Sequence, residues 1–386
     1  MSSTKQRHLN WTNVLFFTIN ATVAVGGTIL LMVYSHIHWA TWLLAGITWV
    51  LYGMGGITVG YHRLFSHQAY KAAWPVRLVL LLFGAGAFEG SVLEWCTDHR
   101  NHHRYVDTDR DPYSINKGFW YAHIGWIFVL DDSKRNYDNV KDLSDDWMCR
   151  FQHKFYVPLA ILMGYILPIL ITCIWGTFLE GLCVAALRIV ALEQFTFCIN
   201  SVCHFFGKKT YPSTQTARDN WFAAFLTFGE GYHNYHHQFP LDYRNGIRFY
   251  HYDPSKWVIF SLKALGLASD LNRVSHVKRL RYKIQFDLNQ IRNMKASIVD
   301  FVQPIYDKVY TQLLQIEDIE KSIKQLKKQN AAALSDKLTH YQGLLKEKNQ
   351  QLKTARLELK YFIKSWNQVL TNALTLQRKE PLTHLA

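Results

Sequence analysis

At 386 residues the chain is long enough for two soluble domains, but its apolar residues gather before about residue 270, in blocks as long as membrane spans. Its formal net charge of +14 is not arranged as a nucleic-acid-binding motif, and much of the excess lies in Lys/Arg-rich segments after Ser269. Six cysteines without C-x-x-C spacing, four of them (Cys173, Cys183, Cys198 and Cys203) in apolar stretches, argue against a disulfide framework and for a reducing environment.

Residues 1–10 are polar, with Lys5 and Arg7, and an uncharged run follows from about residue 14 to 34. That run exceeds the roughly 20 residues a helix needs to cross a bilayer, and no small-residue cleavage site follows, so it reads as a span rather than a removed signal. A connector containing Ser35 to His38 leads to a second span, about 40–60, which delivers the chain to His62. The apolar run from about Val76 to Leu93 contains Arg77 and Glu89. If it crossed, the histidines before and after it would face opposite compartments, so it is expected to be interfacial or re-entrant. An acidic stretch follows (Asp107, Asp109, Asp111, Asp131, Asp132, Asp142, Asp145, Asp146), too charged for lipid. Two more spans are expected at about 158–178 and 182–202, joined by Leu179-Glu180-Gly181. Lys5, Arg7, Arg63, Lys71, Lys154, Lys208 and Lys209 all flank one side, which the positive-inside bias makes cytoplasmic. Arg188 and Glu193, inside the fourth span, mark a functional group, mutual pairing or burial against protein.

After His237 the chain reads as soluble and aromatic-rich to about Ser275. Beyond it, Ile316, Ile319, Ile323 and Leu326, then Leu338, Tyr341, Leu345, Leu352, Ala355, Leu359, Phe362 and Trp366, recur by threes and fours or their multiples. This is a coiled-coil or helical-hairpin pattern, broken near Asn330 or Ser335, which packs on itself or binds a partner. Its histidines, His276, His340 and His384, are isolated. The reading is therefore an all-α integral membrane protein with four transmembrane helices and a cytoplasmic helical domain (1–275). A C-terminal helical, coiled-coil-like extension (276–386) follows.

Eight of the 18 histidines stand in three tight groups: His62 and His67; His99, His102 and His103; His233, His236 and His237. On a helix, H-x-x-H-H puts three imidazoles on one face within reach of a common point. Imidazole is the commonest nitrogen ligand for iron, copper and zinc, and eight are too many for one ion, so two metals are expected.

The spacings, H-x4-H and then H-x2-H-H twice, match the membrane-bound di-iron desaturases and hydroxylases. Around them, Gly60-Tyr61-His62-Arg63-Leu64-Phe65-Ser66-His67, Glu94-Trp95-Cys96-Thr97-Asp98-His99 and Gly229-Glu230-Gly231-Tyr232-His233-Asn234-Tyr235-His236-His237 resemble the acyl-CoA Δ9 (stearoyl-CoA type) desaturases. Leu265-Gly266-Leu267-Ala268-Ser269-Asp270 resembles a segment near that family's end, so the likeness covers about residues 10–275 and not the extension. It implies two iron ions, O2 as co-substrate and a cis double bond placed in palmitoyl- or stearoyl-CoA. A hydroxylase or an acyl-lipid desaturase with the same metals is the alternative, and a histidine-rich zinc-binding scaffold is the non-enzymatic one.

The resemblance also implies that His204 is a ninth ligand, with Asn200, one turn earlier, acting through a water. Glu94, Asp98, Asp107 and Glu230 are expected to accept ring N–H bonds. Trp95 matches a tunnel-lining position, and Lys117 falls where the family presents basic residues to the CoA phosphates. Met54, eight residues and about 12 Å before His62 on an α-helix, matches a tunnel-end position and would favour palmitoyl chains. No His-Pro-Gly-Gly stretch is present, so electrons are expected from a cytochrome b5 or a ferredoxin with its reductase. The membrane is expected to be the endoplasmic reticulum or a bacterial inner membrane. Self-association through the C-terminal helices is a further expectation.

Overall fold

The computed structural model describes residues 7–131, 136–292, 296–332 and 335–379. Lys5, Asp132, His384 and the side chain of Leu338 lie outside the described residues. The described residues are mostly helical, with two short two-stranded antiparallel pairings, Arg7–Leu9 with Val129–Asp131 and Lys71–Ala72 with Ala268–Ser269. All six cysteines are free.

Among the described residues three helices are long and apolar enough to cross a bilayer: Trp11–Tyr34, Trp39–Ser66 and Phe178–Phe205. Tyr156–Thr172, bent by 79° from Trp147–Lys154, makes a fourth if the bent pair is one span. The third and fourth spans depart from the expected boundaries. The third ends at Thr172, and Leu179, Glu180 and Gly181 are not a connector but the first turn of the fourth. Thr177 starts that helix, its side chain accepting the N–H of Glu180 and so satisfying one of the orphan donors there. Glu180 in turn accepts from the backbone N–H of His38 at 2.8 Å and from the Thr41 hydroxyl, tying the two helical hairpins together at the end away from the histidines.

The apolar run after His67 divides in two. Trp74–Ala85 is a 12-residue helix, about 18 Å at 1.5 Å per residue and too short to span. It lies against the second span, where a Cβ on Gly56 would collide with the backbone of Gly84. Val92 and Leu93 belong instead to the next helix, Val92–Tyr105, because Ser91 and Glu94 form a reciprocal capping box. Arg188 is paired not with Glu193 but with backbone, donating to the carbonyls of Gly86 (2.8 Å) and Gly164 (2.9 Å). Arg63 is not a free flanking charge: it is buried and paired with Glu230 and Asp253, each at 3.0 Å.

The second span changes its winding. From Val50 to Ser66 it is a π-helix, with i→i+5 bonds ending in His67 N–H to His62 carbonyl at 3.0 Å. The wider turn brings residues five apart onto one face, whereas 3.6 residues per turn would separate them. This is the local reason for the H-x4-H spacing, and the His62 and His67 rings meet at 4.8 Å.

Two compact units result, residues up to Lys209 with Ser213–Arg273, and Val274 onward with Thr210–Pro212. The second contains His276–Arg292, Ala296–Ala332 and Ser335–Lys379. Ile316, Ile319, Ile323, Ala355, Leu359 and Trp366 are buried in its core. Gln312 donates to the Ala355 carbonyl at 3.1 Å, and Tyr306 packs on Trp366.

Candidate metal centre

Nine imidazoles form two adjoining groups, within each of which one ligand atom per residue lies within 4.8 Å of every other. The first holds His62, His67, His99, His103 and His236, and the second His102, His204, His233 and His237. The three histidines of a H-x-x-H-H stretch therefore do not converge on one point. His99 and His103 enter one group while His102, pointing about 100° from its neighbour, enters the other. The third stretch divides in the opposite sense, His233 and His237 against His236. His204, in the last turn of Phe178–Phe205, completes the second group. The second-span helix runs through His62 itself and ends at Ser66, further than expected.

The ring nitrogens show what the groups suit. Nε2 faces Nε2 at 3.0 Å for His62–His236, 2.8 Å for His67–His99, 2.8 Å for His236–His103 and 3.1 Å for His233–His204. On the outer side, His62 Nδ1 lies 2.8 Å from Glu230 and His102 Nδ1 2.9 Å from Asp111. His204 Nδ1 lies 2.7 Å from the Thr216 hydroxyl, which donates to Asp107 at 2.7 Å. A neutral imidazole has one N–H, so a proton held at Nδ1 leaves a bare lone pair at Nε2. In His62, His102 and His204 that lone pair points at a neighbouring ring in a buried space, an arrangement that a cation between the rings satisfies. Burial first, then the neighbouring rings, hold His67, His99, His103, His233, His236 and His237 well below the usual imidazole pKa, keeping them neutral donors. The residues fit a nitrogen-ligated pair of borderline metal ions.

Glu230 sits between His62 and Arg63. Burial pushes its pKa up, but the charges and hydrogen bonds of His62 and Arg63 outweigh that and hold it below the usual range. Asp107 reaches His204 through Thr216. Asp111, which sequence reasoning left in the acidic stretch, is the direct partner of His102. Glu94 spends its Oε2 on the Ser91 N–H at 3.0 Å, and Asp98 lines the neighbouring cavity.

That cavity, about 1880 Å³, runs past His62, His99, His102 and His233 and is lined also by Trp95, Lys117 and Asn200. Trp95 stacks on His99 at 4.8 Å and donates its indole N–H to Glu89 at 3.2 Å. Glu89 also accepts from Thr196 at 2.7 Å, and burial lifts its pKa to about 7 against these two bonds. Lys117 donates to the carbonyls of Asp109 (3.3 Å) and Asp111 (3.1 Å), and Arg104 and Arg110 also line the cavity. Met54 does not line the cavity. It packs, half-buried, against the core, and the π-winding removes the α-helical phase that would align it with His62. Ile57 is the second-span residue beside His62 in the cavity wall.

Two histidine groups suited to metal, in a chain that also carries helices apolar enough to span a bilayer, define a class of membrane protein with a double metal site. Within that class the chain belongs to the fatty acid desaturase family, whose model matches residues 37–262. It is 40% identical to Acyl-CoA desaturase 1 of Saccharomyces cerevisiae over 295 residues, 76% of this chain and 57% of that protein. Against the Probable acyl-CoA desaturase of Schizosaccharomyces pombe it is 43% identical over 269 residues, 69% of this chain and 55% of that protein. Stearoyl-CoA desaturase 4 of Mus musculus is 38% identical over 273 residues, 69% of this chain and 76% of that protein. The chain thus spans little more than half the length of the two yeast relatives.

Proposed function

We propose that this chain is an acyl-CoA desaturase that places a cis double bond, at Δ9, in palmitoyl- or stearoyl-CoA. The observation that carries the proposal is the pair of histidine groups opening onto one long cavity, and the names of the relatives supply the substrate class. The reaction takes two hydrogens from adjacent methylenes and, with two electrons and two protons, reduces O2 to two waters. Two iron ions in the histidine groups would supply O2 activation, with Asn200 joining the four-histidine group through a water.

The protein's own residues supply the rest. Glu230, Asp111 and the Thr216–Asp107 pair hold Nδ1 protons and fix the ring orientations. Trp95 walls the acyl chain beside His99. Arg104, Arg110 and Lys117 offer positive charge to CoA phosphates at the polar end of the cavity. Electrons come from a cytochrome b5 or a ferredoxin with its reductase. The histidines face the cytoplasm, in the endoplasmic reticulum or a bacterial inner membrane. Residues 276–386 form a separate helical extension through which the chain self-associates.

Expression in a desaturase-deficient host, with fatty acids separated by gas chromatography and double bonds mapped, tests this directly. New 16:1 and 18:1 chains unsaturated at Δ9 are expected, and a profile identical to the empty host overturns the proposal. Met54 packs outside the cavity, so Met54→Ala is expected to leave the preference between palmitoyl- and stearoyl-CoA unchanged, and a move toward stearoyl would restore it as the stop. An unchanged ratio in an active variant removes Met54 as the stop and leaves Ile57 as the wall residue to test. For topology, cysteines at Ser35 and Gly176 should label from the outside and one at Gly86 should not. Equal labelling at Gly86 and Ser35 would mean that the short helix crosses and that the histidine groups cannot share one side.

A further inference from the structure

We propose that the segment Trp221–Leu265, which carries the third histidine group, is an interfacial anchor that docks on the anionic headgroup layer of the leaflet on the histidine side. The inference concerns the lipid surface and does not depend on the reaction proposed above.

Depth is the first observation. The Phe228 ring packs on Trp49 at 5.0 Å, and a Cβ on Gly53 would meet it. Ser255, at the start of helix Pro254–Ala264, bonds the hydroxyl of Thr58 and donates to the Phe228 carbonyl at 3.0 Å. Trp49, Gly53 and Thr58 all belong to the second span, so the segment reaches alongside a membrane-crossing helix rather than standing clear in water.

Exposure is the second. Helix Trp221–Leu226 presents Trp221, 77% exposed, and Phe225. Helix Pro254–Ala264 presents Trp257 and Phe260, with Leu265 just beyond it at 72%, and Phe249 between the two helices is 91% exposed. Phe225 meets Tyr252 at 5.1 Å and Tyr252 meets Trp257 at 6.2 Å, so the two helices form one aromatic ridge. A ridge of exposed Trp, Phe and Leu of this size marks an interaction surface, and aromatic rings with a polar edge suit the headgroup level of a bilayer.

Charge selects the occupant. The acids within the segment, Glu230, Asp242 and Asp253, are all buried and turned inward to Arg63, Arg244 and backbone N–H groups. The basic side chains Arg248 and Lys263 are exposed, and exposed Asp270, beyond the segment, is paired with Lys71. An apolar ridge rimmed by cations and free of exposed carboxylates complements an anionic lipid surface. Docked there, the ridge holds helix His233–Gln238 at a fixed height beside the second span.

The test uses the full chain in nanodiscs, with exposed Cys173 changed to Ser and single spin labels on Trp221→Cys and Phe260→Cys. References are Val33→Cys, on the first span, and Asp138→Cys, in an exposed loop. In power-saturation spectra, labels at 221 and 260 should resemble position 33, with O2 accessibility above that of a nickel chelate and nickel accessibility several-fold below that at 138. Adding phosphatidylserine to phosphatidylcholine should lower nickel accessibility further, and Arg248→Ala with Lys263→Ala should remove that second fall. Nickel accessibility equal to position 138 at both sites overturns the anchor and makes the ridge a protein-binding face. Identical readings in the two lipid mixtures overturn its selectivity for anionic headgroups.

Discussion

Alanine at His99 and alanine at His233 are each expected to abolish desaturation, and to do so by emptying different metal positions. His99 shares its group with His62, His67, His103 and His236, whereas His233 shares the other with His102, His204 and His237. Removing one imidazole from a buried all-nitrogen set leaves an ion short of a donor, with no carboxylate in either group to replace it among the described residues. Metal analysis of purified variants should show the loss of about one ion of about two in each, and of both in the double variant. Neither residue belongs to a spanning helix, so membrane insertion, read by fractionation, should match the unaltered protein. A folded, inserted His99→Ala or His233→Ala variant with full activity would remove the metal reading for that group. Loss of both ions from either single variant would mean that the groups do not fill independently.

The parts of this fold that were legible in the sequence were those encoded by residue type and short spacing. Uncharged runs gave the apolar helices, and clustered histidines gave the double site. Helix boundaries were misread where apolar character was allowed to outweigh capping chemistry. Ser91-x-x-Glu94 and Thr177-x-x-Glu180 both carry the N-terminal signature of a helix. By apolar character alone Val92 and Leu93 fall into the preceding helix and Leu179–Gly181 into a connector. The partition of the histidines was not legible, because which face of Val92–Tyr105 meets which group depends on packing against the second span and on His233–Gln238. The π-winding had one available signal, the H-x4-H spacing, which no α-helix brings into phase. Asp111 was hidden for another reason. It is nine residues from His102 and reaches it only because the chain turns back through Asp107, which adopts a left-handed φ of 64°.

Asp111 is consequently the sharpest probe of how the protein, rather than the metal, sets up the site. Its buried carboxylate accepts from His102 Nδ1 at 2.9 Å, from the N–H of Asp107 at 3.1 Å and from the N–H of Tyr113 at 3.2 Å. The first bond fixes the tautomer that leaves His102 Nε2 free for the four-histidine group, and the other two close the turn that follows. Substitutions separate these roles. Asp111→Asn keeps one oxygen, which can still accept from His102 and Tyr113 but then faces the Asp107 N–H with an amide NH2, and it loses the charge that strengthens the imidazole as a donor, so metal affinity at that group should fall about 10- to 100-fold with a smaller loss of stability than in Asp111→Ala. Asp111→Ala strands both backbone N–H groups, which costs about 1–3 kcal/mol for each that stays dry, so thermal stability should fall further. Glu230 is a poorer choice for this test, because its removal would leave the buried Arg63 guanidinium short of a partner and confound affinity with folding. Chelator competition on purified protein reads the affinity, and a thermal melt in detergent reads the fold. Wild-type affinity in a folded Asp111→Asn variant would show that the carboxylate closes the turn and does nothing for the metal.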